Sequence, residues 1–396
     1  MYVEEVLFTP DGDLAVVVRP TWRTSRCGEC GRQAPRYDRR HQRRWRHLSI
    51  GRIGVHLLYE PWRVSCRGCG VRTEKVPWAE HGSRFTYEFE EMAAYLAQVT
   101  DQTQVSRLLR IAWATVGSIV HRVVRRRLDP ERMSQLRRIG VDEFSYRKRH
   151  RYLTLVVDHD ARRVVWAAPG RRAETLHAFF DHLGEPGCEQ LDLVTIDMAA
   201  GYLKAIQERL PRARVVFDRF HVQQLASAAL DEVRRSIVRE GCAGSARKAI
   251  KNLRYVLLKN PSKLSPSEHS RLSELQRTHQ PLYRAYLLKE TLAEALEQTN
   301  LDDAREVLRA WLAWASRSRL KPFVKAARTV RKYFDGILAY VDHRITNGLV
   351  EGLNAKLRLV ARRAYGFHSH QALIAMLFLN CGGIVLDPPL PQPTQS

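Results

Sequence analysis

The chain has 396 residues, with 65 Lys and Arg against 42 Asp and Glu and a formal charge of +23. That length allows about two to four domains, and so basic a surface predicts a nucleic-acid partner, because binding releases counterions condensed on phosphates. No run of 18 apolar residues occurs, the first residues lack a basic segment followed by an apolar one, and four of the seven cysteines form two Cys-x-x-Cys pairs; these features exclude a spanning helix, a secretory signal and a disulfide framework, and place the protein in a reducing cytoplasm, at the nucleoid.

Residues 1–80 are expected to form a zinc ribbon-like module. Leu14 to Val18 and Val55 to Tyr59 read as short strands leading toward Cys27-Gly-Glu-Cys30 and Cys66-Arg-Gly-Cys69. A Cys-x-x-Cys turn sets two thiolates on one edge of a tetrahedron, and glycine within or after it eases the turn. Two matched pairs make Cys27, Cys30, Cys66 and Cys69 a structural Zn2+ site, with no need of His41, His47 or His56. Cys188, Cys242 and Cys381 read as core or incidental residues. Between the pairs lies the basic run Arg36 to His47, which contains Trp45. It either follows phosphates, with Trp45 against sugar or base, or forms a solvated face.

Residues 84–130 read as three helices: one opening at Thr86 with acidic residues in its first turn, Gln104 to Leu109, and Trp113 to Arg127, which ends in three arginines. Both a helix-turn-helix and an ordinary three-helix bundle fit that pattern.

From Ile139 the period changes to that of strands. Residues 138–222 are expected to hold the first part of a catalytic core. Tyr152 to Asp158 and Val164 to Ala168 form a hairpin, with Asp158 and Asp160 as turn residues. Arg172 to Leu183 is helical, Asp192 to Ile196 a buried strand, Tyr202 to Leu210 a helix and Arg214 to Phe217 a strand. The order β-β-β-α-β-α-β is that of an RNase H-like mixed sheet. Residues 223–345 read as an all-helical insertion, too long for a loop, in which Trp311 and Trp314 form a core stripe and not a base wedge. Residues 346–384 return as helices Gly348 to Arg363 and His370 to Asn380, and 385–396 form a disordered Pro-rich tail. The fold class is a mixed α+β multidomain protein.

Three carboxylates stand out. Asp142 lies in Arg-Ile-Gly-Val-Asp-Glu-Phe-Ser, Asp197 ends an apolar run, and Glu351 lies in Asn-Gly-Leu-Val-Glu-Gly-Leu-Asn at the start of a basic helix. Two strand-end aspartates and a late helical glutamate suit a pair of divalent ions, Mg2+ or Mn2+, which need shared oxygen ligands and offsetting charge. On a helix Asn347, Asn354 and Arg358 fall at i−4, i+3 and i+7 from Glu351, placed to orient it or to touch DNA. Glu143 points to the opposite sheet face. Asp218, after a strand, is a fourth carboxylate or a support for the others. His221 is a phosphate contact or, the favoured reading, a core histidine.

At these residues the chain resembles the ISL3 family of bacterial insertion-sequence transposases. The matching pieces are Gly-Val-Asp142-Glu-Phe-Ser, Thr-Ile-Asp197-Met with Tyr202, Val-Phe-Asp218-Arg-Phe-His221-Val and Asn347-Gly-Leu-Val-Glu351-Gly-Leu-Asn354, behind the cysteine pairs and the three helices. The resemblance covers nearly the whole chain except the Pro-rich tail, and its motifs are specific in combination. It implies a DDE transposase that binds terminal inverted repeats through residues 1–130 and cuts and joins DNA with Asp142, Asp197 and Glu351. Two Mg2+ ions held there would activate water, and later a DNA 3′-hydroxyl, and stabilise the leaving oxygen. The partners implied are double-stranded DNA, both transposon ends and target, and a homodimer or larger assembly on it, with no membrane. Two other readings stand beside it: a domesticated repressor-like relative, and an RNase H-like nuclease without strand transfer.

Overall fold

The apolar strands β2 (Leu14–Arg19) and β5 (Ile53–Tyr59) form the centre of the first sheet, flanked by β1 (Tyr2–Phe8) and β4 (Arg43–Ile50) in the order β1-β2-β5-β4. A second sheet, β3-β6-β7, joins β3 (Arg36–Arg39), β6 (Trp62–Cys66) and β7 (Gly70–Thr73). The computed structural model describes residues 1–147, 151–198, 200–240, 244–345, 348–364, 367 and 369–387. Asn347, Cys242 and the tail from residue 388 lie outside the described residues. The chain divides into two units, Met1–Asp129 together with Val360 onward, and Pro130–Leu359.

In the first unit the basic run around Trp45 is largely strand. Period two turns Trp45 inward between Arg44 and Arg46; it is 1% exposed and stands edge-on to Trp78 at 5.7 Å. The expectation that Trp45 packs on sugar or base is therefore corrected: it is a core residue. Strand β1 gave no sequence signal, because every one of its residues is exposed and no buried face imposes a pattern. Three helices follow: α1 (Tyr87–Val99), α2 (Gln102–Leu109) and α3 (Trp113–Arg127). Thr86 and Asp101 cap the first two by accepting from Phe89 and Gln104 backbone N–H groups. The turn before α3 is short, and Arg110 takes it at φ +51°.

In the second unit β8 (Arg138–Arg147), β9 (Arg151–Asp158), β10 (Arg163–Pro169), β11 (Leu193–Ile196) and β12 (Arg214–Phe217) form a sheet ordered β10-β9-β8-β11-β12. Strand β9 is antiparallel to both its neighbours, while β8, β11 and β12 are parallel. Helix α4 (Ala173–Glu189) breaks at Gly184, where the sequence reading ended it, and α5 (Ala200–Arg209) precedes β12. Asp158 ends β9 and accepts from the Asp160 and Ala161 backbones, closing the expected turn.

The helical stretch comprises α6 (Arg219–Glu240), α7 (Gly244–Asn252), α8 (Arg254–Leu258), α9 (Pro266–Thr278), α10 (Gln280–Glu297), α11 (Leu301–Arg317), α12 (Lys321–Lys332) and α13 (Phe334–His343). Trp311 is fully buried there and donates its indole N–H to the Leu288 carbonyl at 2.7 Å, so it is core. Helix α14 (Gly348–Arg363) crosses the unit boundary, and α15 (His370–Cys381) packs with α1 and α3 in the first unit. Cys188 and Cys381 are buried. Among the described residues no helix is long and apolar enough to cross a membrane.

Candidate functional site

The first cluster is local. Cys27, Cys30, Cys66 and Cys69 bring their sulfurs within 4.8 Å of one another. Each pair is followed by a glycine in the left-handed region, Gly31 at φ +71° and Gly70 at φ +72°, which lets the chain turn back under the sulfurs. Backbone N–H groups of Gly68 and Cys69 favour the Cys66 thiolate and bring its pKa down to about 7. Four convergent thiols, one of them with amides turned toward it, can hold a tetrahedral ion. The nearby histidines are engaged elsewhere or exposed: His56 bonds Asp13 at 3.1 Å, His47 bonds Thr86 at 2.8 Å, and His41 is exposed.

The second cluster draws on residues far apart in sequence. Asp142 lies within β8, Asp197 follows β11, Asp218 follows β12, His221 lies in the first turn of α6, and Glu351 lies in the first turn of α14. What seats α14 on β8 is the absence of a side chain at Gly140: a Cβ there would stand 2.7 Å from Val350 and 2.9 Å from His159. Two residues on, Asp142 accepts at 2.6 Å from the Asn354 side-chain amide of α14 and at 2.7 Å from the Glu143 backbone N–H. Asn354 is only 4% exposed, and its Oδ1 has no hydrogen-bond partner.

Burial raises the Asp142 pKa; the Glu143 amide opposes that, and the neighbouring charges are Asp197 and Glu351, which raise it further, and His221, which lowers it. All four groups thus share one electrostatic neighbourhood. The tightest convergence is different from the one expected. Asp218, His221 and Glu351 have ligand atoms within 4.8 Å of one another, and Asp142 and Asp197 are not in that close group. His221 is half-buried, not a core histidine, because α6 starts at the sheet edge and turns its first residues toward Glu351. The sequence signal was present in Asp-Arg-Phe-His, an acid at a strand end with a histidine one helical turn later.

Glu143 pairs in register with Thr154, which hydrogen-bonds Tyr202 at 2.8 Å. Burial raises the Glu143 pKa, and Asp197 adds to it. Arg358 is exposed further along α14.

In the first unit the basic end of α3 is spent internally. Glu90 is fully buried and accepts from Arg122 at 2.7 Å, Arg126 at 3.2 Å and Ser83 at 2.8 Å. Arg125 pairs with Glu80, and Arg127 with Glu91. A buried carboxylate loses several kcal/mol of hydration, which these donors offset while fixing α3 on α1. The outward residues Trp113, Ala114, Ser118 and His121 are exposed at the start of α3 and along one face, where a groove-reading helix presents its side chains.

A family model described as a transposase matches residues 139–377, and one described as the helix-turn-helix domain of transposase family ISL3 matches residues 74–124. The chain is 40% identical over 413 residues to the transposase for insertion sequence element IS1557 of Mycobacterium tuberculosis, covering 96% of this chain and 92% of that protein. It is 31% identical over 365 residues to the transposase for insertion sequence element IS1001 of Bordetella parapertussis, covering 91% of this chain and 90% of that protein. The shorter match takes in α1, α2 and most of α3, and selects the helix-turn-helix over the ordinary bundle.

Proposed function

This chain belongs to the ISL3 family of transposases and is a DNA transposase of the DDE type, and we propose that Asp142, Asp197 and Glu351 are its catalytic carboxylates, on an RNase H-like sheet. The observation that carries this is the Asn354–Asp142 hydrogen bond at 2.6 Å. It ties the helix bearing Glu351 to the strand bearing Asp142, across 212 residues of sequence. The order β10-β9-β8-β11-β12, with β9 reversed, supports the RNase H-like assignment.

Asp142, Asp197 and Glu351 would hold Mg2+ or Mn2+, which supplies positive charge to the attacking and leaving oxygens of an in-line displacement at phosphorus. The residues fit that role. Like charges that raise the Asp142 pKa are a repulsion that a bound cation relieves, and the partnerless Oδ1 of Asn354 faces the same buried region. Asn354 holds one Asp142 oxygen by donating to it, so the carboxylate keeps one orientation. Asp218 and His221 border Glu351, where they position it or share an ion with it. Arg358, exposed further along α14, is placed to touch the DNA backbone.

The helix-turn-helix binds the terminal inverted repeats, and Zn2+ at Cys27, Cys30, Cys66 and Cys69 holds the module beside it. Joining two ends to one target requires two active sites, so the working form on DNA is a dimer or larger assembly. A repressor-like relative or a nuclease without strand transfer has no need of the full carboxylate set together with this end-binding module.

The test is cleavage of a labelled duplex carrying the element's own end. Wild type should nick it with Mg2+ and not with EDTA. Glu351→Gln should lose about 10³-fold or more while binding the end as tightly. Tight binding by wild type without cleavage under any divalent metal would point to the repressor reading.

A further inference from the structure

Between Glu306 and Asp335 the chain carries eight Lys or Arg and no Asp or Glu. Most of that charge falls on α12. Lys321, Lys325, Arg328 and Lys332 follow one another at intervals of four, three and four residues, so they lie on one helix face, and each is exposed. The opposite face carries Phe323, Ala326, Ala327 and Val330, all buried against the rest of the unit. The cationic face is thus held outward by packing.

These cations have no acidic partner among the described residues, unlike others in the same helical stretch. Arg219 pairs with Glu297, Arg234 with Asp231, Lys259 with Glu268 and Arg305 with Asp302. Arg319, just before α12, joins Lys321, Val324, Lys325 and Arg328 around one shallow depression. Four like charges this close repel one another in the free protein, and a solvated face gains nothing from excluding every carboxylate over so long a segment. A polyanion with closely spaced charges is the partner that turns the repulsion into attraction.

We propose that the outer face of α12 is a second DNA-binding surface, separate from the helix-turn-helix and from the carboxylate site, that holds the phosphate backbone of duplex DNA without reading bases. The stripe from Lys321 to Lys332 is about 16 Å long, and a DNA strand carries one charge per about 3.4 Å of helix axis, so the four side chains span several phosphates. No aromatic or amide side chain stands in the stripe to contact base edges, so the contact is independent of sequence. The inference rests on the chain acting on DNA, and it assigns the helical insertion a share in gripping it.

The test uses the full-length protein and the triple variant Lys321→Ala/Lys325→Ala/Arg328→Ala. Affinity for the element-end duplex and for an unrelated duplex is measured across a salt series. The expected result is a loss of about tenfold or more on both duplexes, with the slope of log affinity against log salt shallower by about 2 to 3. The melting temperature should not fall, since these side chains are exposed and make no ion pair among the described residues whose loss would destabilise the fold. The charge-conserving variant Lys321→Arg/Lys325→Arg should keep the wild-type slope. An unchanged slope and affinity in the folded alanine variant overturns the proposal, as does a loss confined to the element end. Failure of the wild type to bind either duplex would instead remove the DNA reading on which it rests.

Discussion

The thiol cluster and the proposed carboxylate site are each suited to holding cations, and they are built in opposite ways. The four thiols come from two tight turns inside one small module, and they would fill all four positions of a tetrahedral ion. The carboxylates come from the middle of β8, the ends of β11 and β12, and a helix near the other end of the chain, with Glu351 exposed. The first arrangement suits an ion that holds chain together. The second leaves room for a substrate, and its precision depends on how well α14 sits on β8. Damage to the first should therefore appear as lost folding, and damage to the second as lost chemistry on an intact protein.

The largest effect is expected from Cys66→Ser. A structural zinc site of this kind contributes on the order of 10 kcal/mol to folding, so the variant should lose its zinc by elemental analysis, lose end binding, and show an early unfolding transition. Retention of one zinc per chain with normal end binding would remove the distinction between the two sites. Next is Gly140→Ala. Its Cβ would press on Val350 and push α14 from β8, and a shift of about 1 Å at a reacting centre costs about 100-fold in rate. End binding and zinc content should stay normal.

Asp218→Asn separates a supporting carboxylate from an essential one. If Asp218 positions Glu351 or shares an ion with it, Mn2+ affinity measured by titration calorimetry should fall about 10- to 100-fold, with cleavage partly restored at high Mn2+. A loss as complete as that of Glu351→Gln, with no recovery, would make Asp218 an essential ligand. The smallest effect concerns pH. Burial raises the Asp142 pKa above 3.8, so in metal-free protein the folded state keeps that proton to higher pH than the unfolded chain does. Stability should then fall as pH rises from the ordinary carboxylate range through the raised value, and hold level above it. Melting temperatures in EDTA should show this slope in wild type and not in Asp142→Asn.

The same contrast explains what the sequence revealed. The thiol site was legible because its whole geometry lies in the spacing of two short motifs. The strands carrying Asp142 and Asp197 were legible as apolar residues leading to an acid, but only Asp197 follows its strand; β8 continues past Asp142 to Arg147, so Asp142 lies mid-strand and not at the strand end expected. The role of Gly140 was not legible, because it depends on Val350, which only folding brings near. His221 read as core because its spacing from Asp218 is a local signal, whereas the nearness of both to Glu351 appears only on folding. Trp45 read as a base contact because arginines surround it, though strand alternation turns it inward. The arginines closing α3 were visible only as a basic helix end, because their partners Glu80, Glu90 and Glu91 lie on segments that only tertiary packing brings beside them.

The most direct test of the central claim is anomalous scattering from crystals of the DNA-bound protein soaked in Mn2+. Two metal peaks about 3.5–4 Å apart, bounded by Asp142, Asp197 and Glu351, are expected. A single peak held by Asp218, His221 and Glu351, with Asp142 and Asp197 remote from it, would contradict that claim.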